Sequence, residues 1–461
     1  MIHMSDIKEL IFDNYIAPMK DKKGTYVGVE IELPIVNLKG EATDHDTARK
    51  AFNKAVEKLG LAGTKFDAKG NCHEAKDEKT GDLFSFDCSY NNLELSFGKE
   101  QSLVTVNDRF KEYIKLFNTE LRKDDHIITG FGVQPYYNKC RQDYIESGRY
   151  KMLEGYLRKD REWKSYEGFH NFPGFGTFAS STQVQIDVRQ DELIDTLNTF
   201  SLLEPLKSII FANSMLSDDL PHLLCSRDML WEYSTHGINR HNIGSYETVP
   251  QTIDEVVDYI SSLSAFCCER DDKYIFFYPV PFAEYVKKGM LQGEYYHDGS
   301  YHQTSFEPLV KDIDHLRSYK FLDITKRGTI EYRSLCAQPL DQAFAGIAFQ
   351  TGLVAKLPKL DEILRNDKVI YGHGYSAHEL RDLFNRDSLP GFVDPEALRK
   401  LLMKITALSY DGLLSRGFGE EKLLLPMCER EDILVSPSRR RINMLRQGHD
   451  LTDVIHAYAA V

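Results

Sequence analysis

The run Tyr26-Val-Gly-Val-Glu-Ile-Glu-Leu-Pro-Ile-Val constrains this chain most, because alternating strand-forming residues place the carboxylates of Glu30 and Glu32 on one face. Val27, Val29, Ile31 and Leu33 then fill a core, and the two acids project from the opposite side. Like charges side by side repel unless a cation lies between them. Hard divalent ions such as magnesium prefer carboxylate oxygens, and a phosphate arriving with the metal completes the coordination sphere. An ordinary antiparallel strand with one solvated face shows the same pattern without any chemistry. What other strands carry therefore decides the reading.

Three further segments repeat the logic. Arg327-Gly-Thr-Ile-Glu-Tyr-Arg-Ser alternates Thr329, Glu331 and Arg333 against Ile330 and Tyr332, so that an acid and a base share a face. Ser181-Thr-Gln-Val-Gln-Ile-Asp-Val sets Gln183, Gln185 and Asp187 opposite Val184, Ile186 and Val188. Phe86-Asp-Cys-Ser-Tyr-Asn-Asn-Leu-Glu-Leu-Ser-Phe reads as a fourth strand and adds Asp87 and Glu94. Polar faces built from acids, amides and arginine, in place of the Lys, Thr and Ser of plain surface, suggest a sheet whose open face is an active site.

The 461 residues, 42% hydrophobic, suffice for a substantial core in one large domain or a few ordinary ones. With 57 Lys and Arg against 70 Asp and Glu the net charge is −13, which argues against nucleic-acid or anionic-membrane partners. Anionic substrates must be met by local arginines or by metal. The start, Met-Ile-His-Met-Ser-Asp-Ile-Lys, has no basic stretch followed by an apolar one, and no run approaches the roughly 18 apolar residues of a membrane helix. The expectation is a soluble cytoplasmic protein. Eight cysteines (Cys72, Cys88, Cys140, Cys225, Cys267, Cys268, Cys336 and Cys428) lack CxxC spacing, which argues against a zinc site or a disulfide framework.

No repeat, low-complexity tract or linker divides the chain. Ser5 is expected to cap a helix over 6–15, Gly60 to stop one that begins at Asp46, and Thr105 to Lys123 to form another. The first 100 residues lack the regular crossover helices of a doubly wound sheet, so the fold class is α+β with a mainly antiparallel sheet. Beyond about residue 340 the pattern turns helical, with candidates at 342–357, 396–413 and 450–460. Residues 1–340 are expected to form a catalytic sheet region and 341–461 a helical part packed on the same domain. His373 and His378 stand five residues apart, the wrong step for one helix face, and read as solvated loop histidines.

Taken in order, these segments resemble the glutamate–cysteine ligase family. Gly28-Val-Glu-Ile-Glu is similar to its opening Gly-x-Glu-x-Glu strand, and Asp87 with Glu94 to its second acidic strand. Gly148-Arg-Tyr-Lys-Met and Thr182-Gln-Val-Gln-Ile-Asp are similar to segments of the plant and proteobacterial branch. Arg240 with Tyr246, Phe282-Ala-Glu-Tyr-Val and Gly328-Thr-Ile-Glu-Tyr-Arg-Ser complete the series, which covers about residues 25–340. Asp187 departs from the family's usual asparagine, and Cys336 follows its Glu-Tyr-Arg segment.

The resemblance implies a glutamine synthetase-like fold, an antiparallel curved sheet with the active site on its open face and helices around it. It implies an ATP- and Mg2+-dependent ligase that joins the γ-carboxylate of L-glutamate to the amine of L-cysteine through γ-glutamyl phosphate, the first step of glutathione biosynthesis. It implies six metal ligands: Glu30, Glu32, Asp87, Glu94, Glu284 and Glu331. Arg333, Arg240 and Glu331 are the implied catalytic residues, Arg327 and Arg333 contact the nucleotide, and Arg149, Gln185, Tyr150 and Tyr246 bind substrate. The family's partners are small molecules: glutamate, cysteine or another amine, and ATP. Three alternatives stay open: a γ-glutamyl ligase with a different acceptor, a non-catalytic nucleotide- or metabolite-binding protein, and a phosphatase or metal hydrolase, which the absence of a His-rich constellation near the acids disfavours. Oligomeric state is not legible. With no ATP-grasp-like extension in the sequence, a later glycine-adding step is expected to fall to another protein.

Overall fold

The computed structural model describes residues 3–20, 26–164, 168–216 and 223–461, and of 431–433 the backbone alone. Among them nine strands form one sheet: β1 (Val27–Asn37), β2 (Ala62–Phe66), β3 (Cys72–Lys76), β4 (Leu83–Phe86), β5 (Asn92–Glu100), β6 (His126–Ile128), β7 (Ser181–Asp187), β14 (Leu322–Ile324) and β15 (Thr329–Cys336). Their order is β14-β15-β7-β1-β5-β4-β3-β2, with β6 paired to the far end of β1, and every pairing is antiparallel. β9 (Ser264–Arg270), β10 (Lys273–Pro281), β11 (Leu291–His297) and β12 (Ser300–Phe306) form a second sheet in the order β12-β11-β10-β9. β8 (Ile243–Gly244) pairs in parallel with β13 (Tyr319–Lys320). The fold is α+β, as the patterning predicts.

Alternation determines which way each strand faces. On β1, Val27, Val29, Ile31 and Leu33 are at most 1% exposed, while Glu30 and Glu32 stand half-buried on the other side. On β7 and β15 the core positions are Val184, Ile186, Ile330 and Tyr332. Register aligns the polar faces across the sheet: Glu32 lies opposite Glu94, Glu30 opposite Gln183, and Glu331 between Gln185 and Asp323. Between Tyr332 and Leu335 the β15 pairing slips by one residue, a bulge that turns Leu335 into the core although it shares the parity of Glu331 and Arg333.

Helices cover the apolar face. Phe200 of the helix Leu193–Phe211 meets Tyr332 edge-on at 4.8 Å, and Phe52 of the helix His45–Leu59 meets Phe86 at 4.9 Å. Each such fully buried aromatic contributes roughly 1.5–3 kcal/mol of burial free energy. One apolar core runs from Ile7 to Ala459, so the helices Ala345–Val354, Pro395–Arg416 and Leu451–Tyr458 share it with the sheet.

Caps explain the helix limits. Asp44 accepts from the Asp46 amide to open the second helix, and Gly60 closes it at φ 65°, a left-handed turn that costs glycine little. Ser102 caps Leu103–Leu121, two residues ahead of the expected start. The first helix differs from its expectation. It spans Met4–Ile11, its reciprocal cap is between His3 and Asp6, and Ser5 lies inside it; Phe12–Ile16 is a wider π turn. The segment 86–97 is likewise not one strand. It is a hairpin in which β4 ends at Phe86, Cys88 takes a left-handed φ of 57°, and β5 begins at Asn92, because the polar run Asp87–Asn91 satisfies its own backbone in a turn. Asp87 thus sits in a turn and Glu94 on a strand.

Candidate active site

The polar face of the large sheet floors a cavity of about 940 Å³. Glu30 and Glu32 come from β1, Glu94 from β5, Gln183 and Gln185 from β7, Glu331 and Arg333 from β15, and Asp87 from the β4–β5 turn. Arg149 and Tyr150, in the first turn of the helix Gly148–Leu157, face them across the space. Tyr246 and Arg327 line it as well.

The side chains interlock. Glu32 accepts from the Ser181 amide at 2.7 Å and from Gln183 Nε2 at 2.9 Å. Gln185 Nε2 donates to Glu331 Oε1 at 2.7 Å and to Glu30 Oε1 at 3.2 Å, so one amide joins two acids from different strands. Arg333 donates to the other oxygen of Glu331, and Ser96 Oγ to Glu94 at 2.8 Å. Gln183 spends its NH2 on Glu32 and Ser181, which leaves its Oε1 buried without a donor among the described residues.

Burial and mutual repulsion push the acids upward. Glu30 is raised to about 8 by burial, and then by the charges of Glu331 and Glu94. Asp87 is held well above the usual carboxylate range by burial, Glu32 and Glu94, with Arg149 opposing. Glu94 shifts the same way through burial and Glu32. Asp323, absent from the expected set, rises to about 7 through burial and Glu331, against the pull of Arg333. These groups cannot all ionise together without added positive charge.

A hard divalent ion fits this donor set, which on the sheet face consists of carboxylate and amide oxygens. The acids are spread over several strands, and among the described residues no three of them bring ligand atoms within 4.8 Å of one another. An ion here would take few protein oxygens each and complete its shell from substrate or water.

Two expected site residues lie elsewhere. Glu284 is exposed, on the short helix Phe282–Tyr285 outside the cavity, because Phe282 and Tyr285 turn into the core and leave it on the solvent side. Arg240 sits behind the cavity wall, with its Nη1 4.0 Å from Glu232 Oε2 and its guanidinium over the Tyr233 ring. Tyr150 and Tyr246 line the space with their hydroxyls donated to the carbonyls of Phe86 and Leu322. The cavity also contains residues that sequence reasoning missed. Arg227 is 8% exposed, donates Nη1 to the Leu335 carbonyl and has no partner for its buried Nε among the described residues. Trp231 stacks on Tyr319 at 4.2 Å, and Lys320 is drawn down to about 8 by burial. Asp323 carries the alternation signal, in Phe321-Leu-Asp-Ile, over a strand of three residues. Arg227 carries none, since it lies on a seven-residue helix with no periodic pattern.

No family model matches the chain. Among curated relatives, a chloroplastic glutamate–cysteine ligase of Medicago truncatula is 22% identical over 329 residues, which cover 68% of this chain and 58% of that protein. Chloroplastic glutamate–cysteine ligase A of Oryza sativa subsp. indica is 24% identical over 332 residues, covering 68% and 60%. The chain thus spans about three fifths of the length of these relatives. Among solved structures, the Francisella tularensis glutamate–cysteine ligase in complex with AMP superposes with a TM-score of 0.40 at 12% identity, over 95% of this chain and 89% of that one. A bifunctional glutathione synthetase from Pasteurella multocida reaches 0.38 at 10% identity, over 100% and 53%. TM-scores this low do not establish a shared fold.

Proposed function

We propose that this chain is an ATP- and magnesium-dependent carboxylate–amine ligase that joins the γ-carboxylate of L-glutamate to the amine of L-cysteine, the reaction for which the plant relatives are named. The observation that carries the proposal is one open sheet face on which Glu30, Glu32, Glu94 and Glu331 stand beside Arg333, with Arg149 opposite. On this reading residues 1–340 are a glutamine synthetase-like catalytic region, and 341–461 pack on the same domain. The same face could serve another acceptor amine; the competition below decides between them.

A carboxylate is a poor electrophile, so amide formation needs activation. A γ-carboxylate oxygen of glutamate attacks the γ-phosphorus of ATP and ADP leaves; the amine nitrogen then attacks the acyl carbon, phosphate departs, and nitrogen gives up its proton. Glu30, Glu32, Asp87, Glu94 and Glu331 would hold magnesium, which when bound offsets phosphate charge. Arg333, kept protonated against burial by Glu331 and Asp323, stabilises charge on the transferred group. Arg149 and Arg227, which both line the cavity, supply the planar fork that a carboxylate or phosphate accepts.

The test follows phosphate release with ATP and glutamate, then identifies by mass spectrometry the product formed from competing cysteine, 2-aminobutyrate, alanine, serine and glycine. Release that requires glutamate, with cysteine preferred, is expected. Release without glutamate would overturn the ligase reading; preference for another amine would move the acceptor alone. Arg149→Ala should raise the apparent glutamate constant, with Arg149→Lys restoring it only in part, because an ammonium lacks the fork. Full restoration by lysine would remove the clamp role.

A further inference from the structure

We propose that Glu232, His378 and Asp382 form a second cation site, of mixed nitrogen and oxygen ligands, in the outer wall of the cavity. It is chemically distinct from the oxygen-only sheet face and independent of the ligase reading. Among the described residues this is the group of three whose ligand atoms all lie within 4.8 Å of one another.

The three come from two packed elements. Glu232 ends the helix Ser226–Glu232, and His378 and Asp382 sit four residues apart on one face of the helix Ala377–Phe384. His378 Nδ1 is 3.6 Å from Glu232 Oε1, and its Nε2 is 3.7 Å from Asp382 Oδ2. Both separations are too long for a hydrogen bond. An imidazole gives an ion one nitrogen, so only one of the two is a ligand pair: 3.6 Å between Nδ1 and Glu232 Oε1 is what two ligands show when each stands about 2.0–2.2 Å from a shared ion, and one atom from each of the three residues lies within 4.8 Å of the others. The Glu232 oxygens are divided: Oε2 faces Arg240 at 4.0 Å, and Oε1 faces the imidazole. The backbone makes room for that second oxygen. At Gly244, with φ 66°, a Cβ would stand 2.8 Å from Glu232 Oε1, so any other residue would crowd it.

One imidazole with two carboxylates suits a borderline transition-metal ion such as Zn2+ better than Mg2+, which seeks oxygen. Glu232 and the neighbouring Trp231 line the cavity, so an ion here would tie that wall to the helix behind it. His373, the other histidine of this segment, takes no part; its Nε2 meets the Val369 carbonyl at 3.1 Å.

The test strips the protein with a chelator and titrates Zn2+ in excess Mg2+, which occupies oxygen-only positions. Wild type should retain a Zn2+ ion through dialysis and melt higher with it, while His378→Ala and Asp382→Asn bind at least about tenfold more weakly and gain no melting temperature. Both substituted side chains are part-exposed, so metal-free melting should match wild type and certify the fold. Equal retention by wild type and His378→Ala, or none by wild type, would overturn the site and leave His378 as an ion-pair partner of two acids.

Discussion

Glu32 and Glu331 carry the same charge and are held differently, the first by a backbone amide and Gln183, the second by Gln185 and Arg333. On the proposed reading each adds charge that a metal ion requires. Glu32→Gln or Glu331→Gln should therefore lower turnover by at least about 100-fold while thermal melting stays near wild type, and chelation of magnesium should abolish turnover. Steady-state ADP release with a parallel melting curve checks both, and near-normal turnover would remove that residue from the metal role. At this scale the sequence was legible where alternation was strong. Glu30, Glu32 and Glu331 are recognisable because an apolar neighbour on either side fixes their face. Glu284 misled because Phe-Ala-Glu-Tyr-Val reads equally as the start of a helix, and Arg227 was invisible because only tertiary packing brings it to the cavity wall.

Strands were easier to read than turns, since a period of two needs only a few residues, whereas a turn depends on backbone hydrogen bonds that composition merely suggests. That is why Phe86–Phe97 reads as one strand and folds as two with Asp87 in the bend. The short turn Thr235–Ile238 offers a test of element energetics. His236 lies among the rings of Tyr156, Trp231, Phe266 and Tyr319 at 4.2–5.4 Å, with neither ring nitrogen partnered among the described residues. Burial pushes its pKa down to about 3 from an ordinary 6.5. Between those values the unfolded chain binds a proton that the folded one refuses. The His236 contribution is therefore complete above about pH 6.5 and is lost as pH falls toward 3, by at most about 1.4 kcal/mol per unit. His236→Phe should lose less stability than wild type between pH 7 and pH 5 in denaturant titrations; identical losses would show that this ring does not govern the acid limb.

Across the molecule, helices from before and after residue 340 are joined by charge as well as by apolar packing. Arg381 binds Asp228 through Nε at 2.7 Å and Nη2 at 3.1 Å, and Glu204 through Nη1 at 2.9 Å, while Lys207 holds Glu204 at 2.7 Å, all nearly inaccessible to water. Arg381→Met leaves two buried carboxylates with less compensation and should cost about 3–5 kcal/mol by chemical denaturation, with Asp228→Asn in the same chain recovering part. A cost below 1 kcal/mol, on the order of an exposed pair, would mean that solvent reaches the cluster. The bulge in β15 has a reach of the same scale. It is an odd residue inserted into an even rhythm, so that the chain before it presents its charges and the chain after it presents its grease. Descendants of this sequence can lengthen the exposed hairpin tips at Asp271–Asp272 and Asp298–Gly299 at little cost. They cannot lose one residue between Tyr332 and Leu335, because the same count that hides Leu335 in the core is the one that keeps Glu331 and Arg333 on the cavity side.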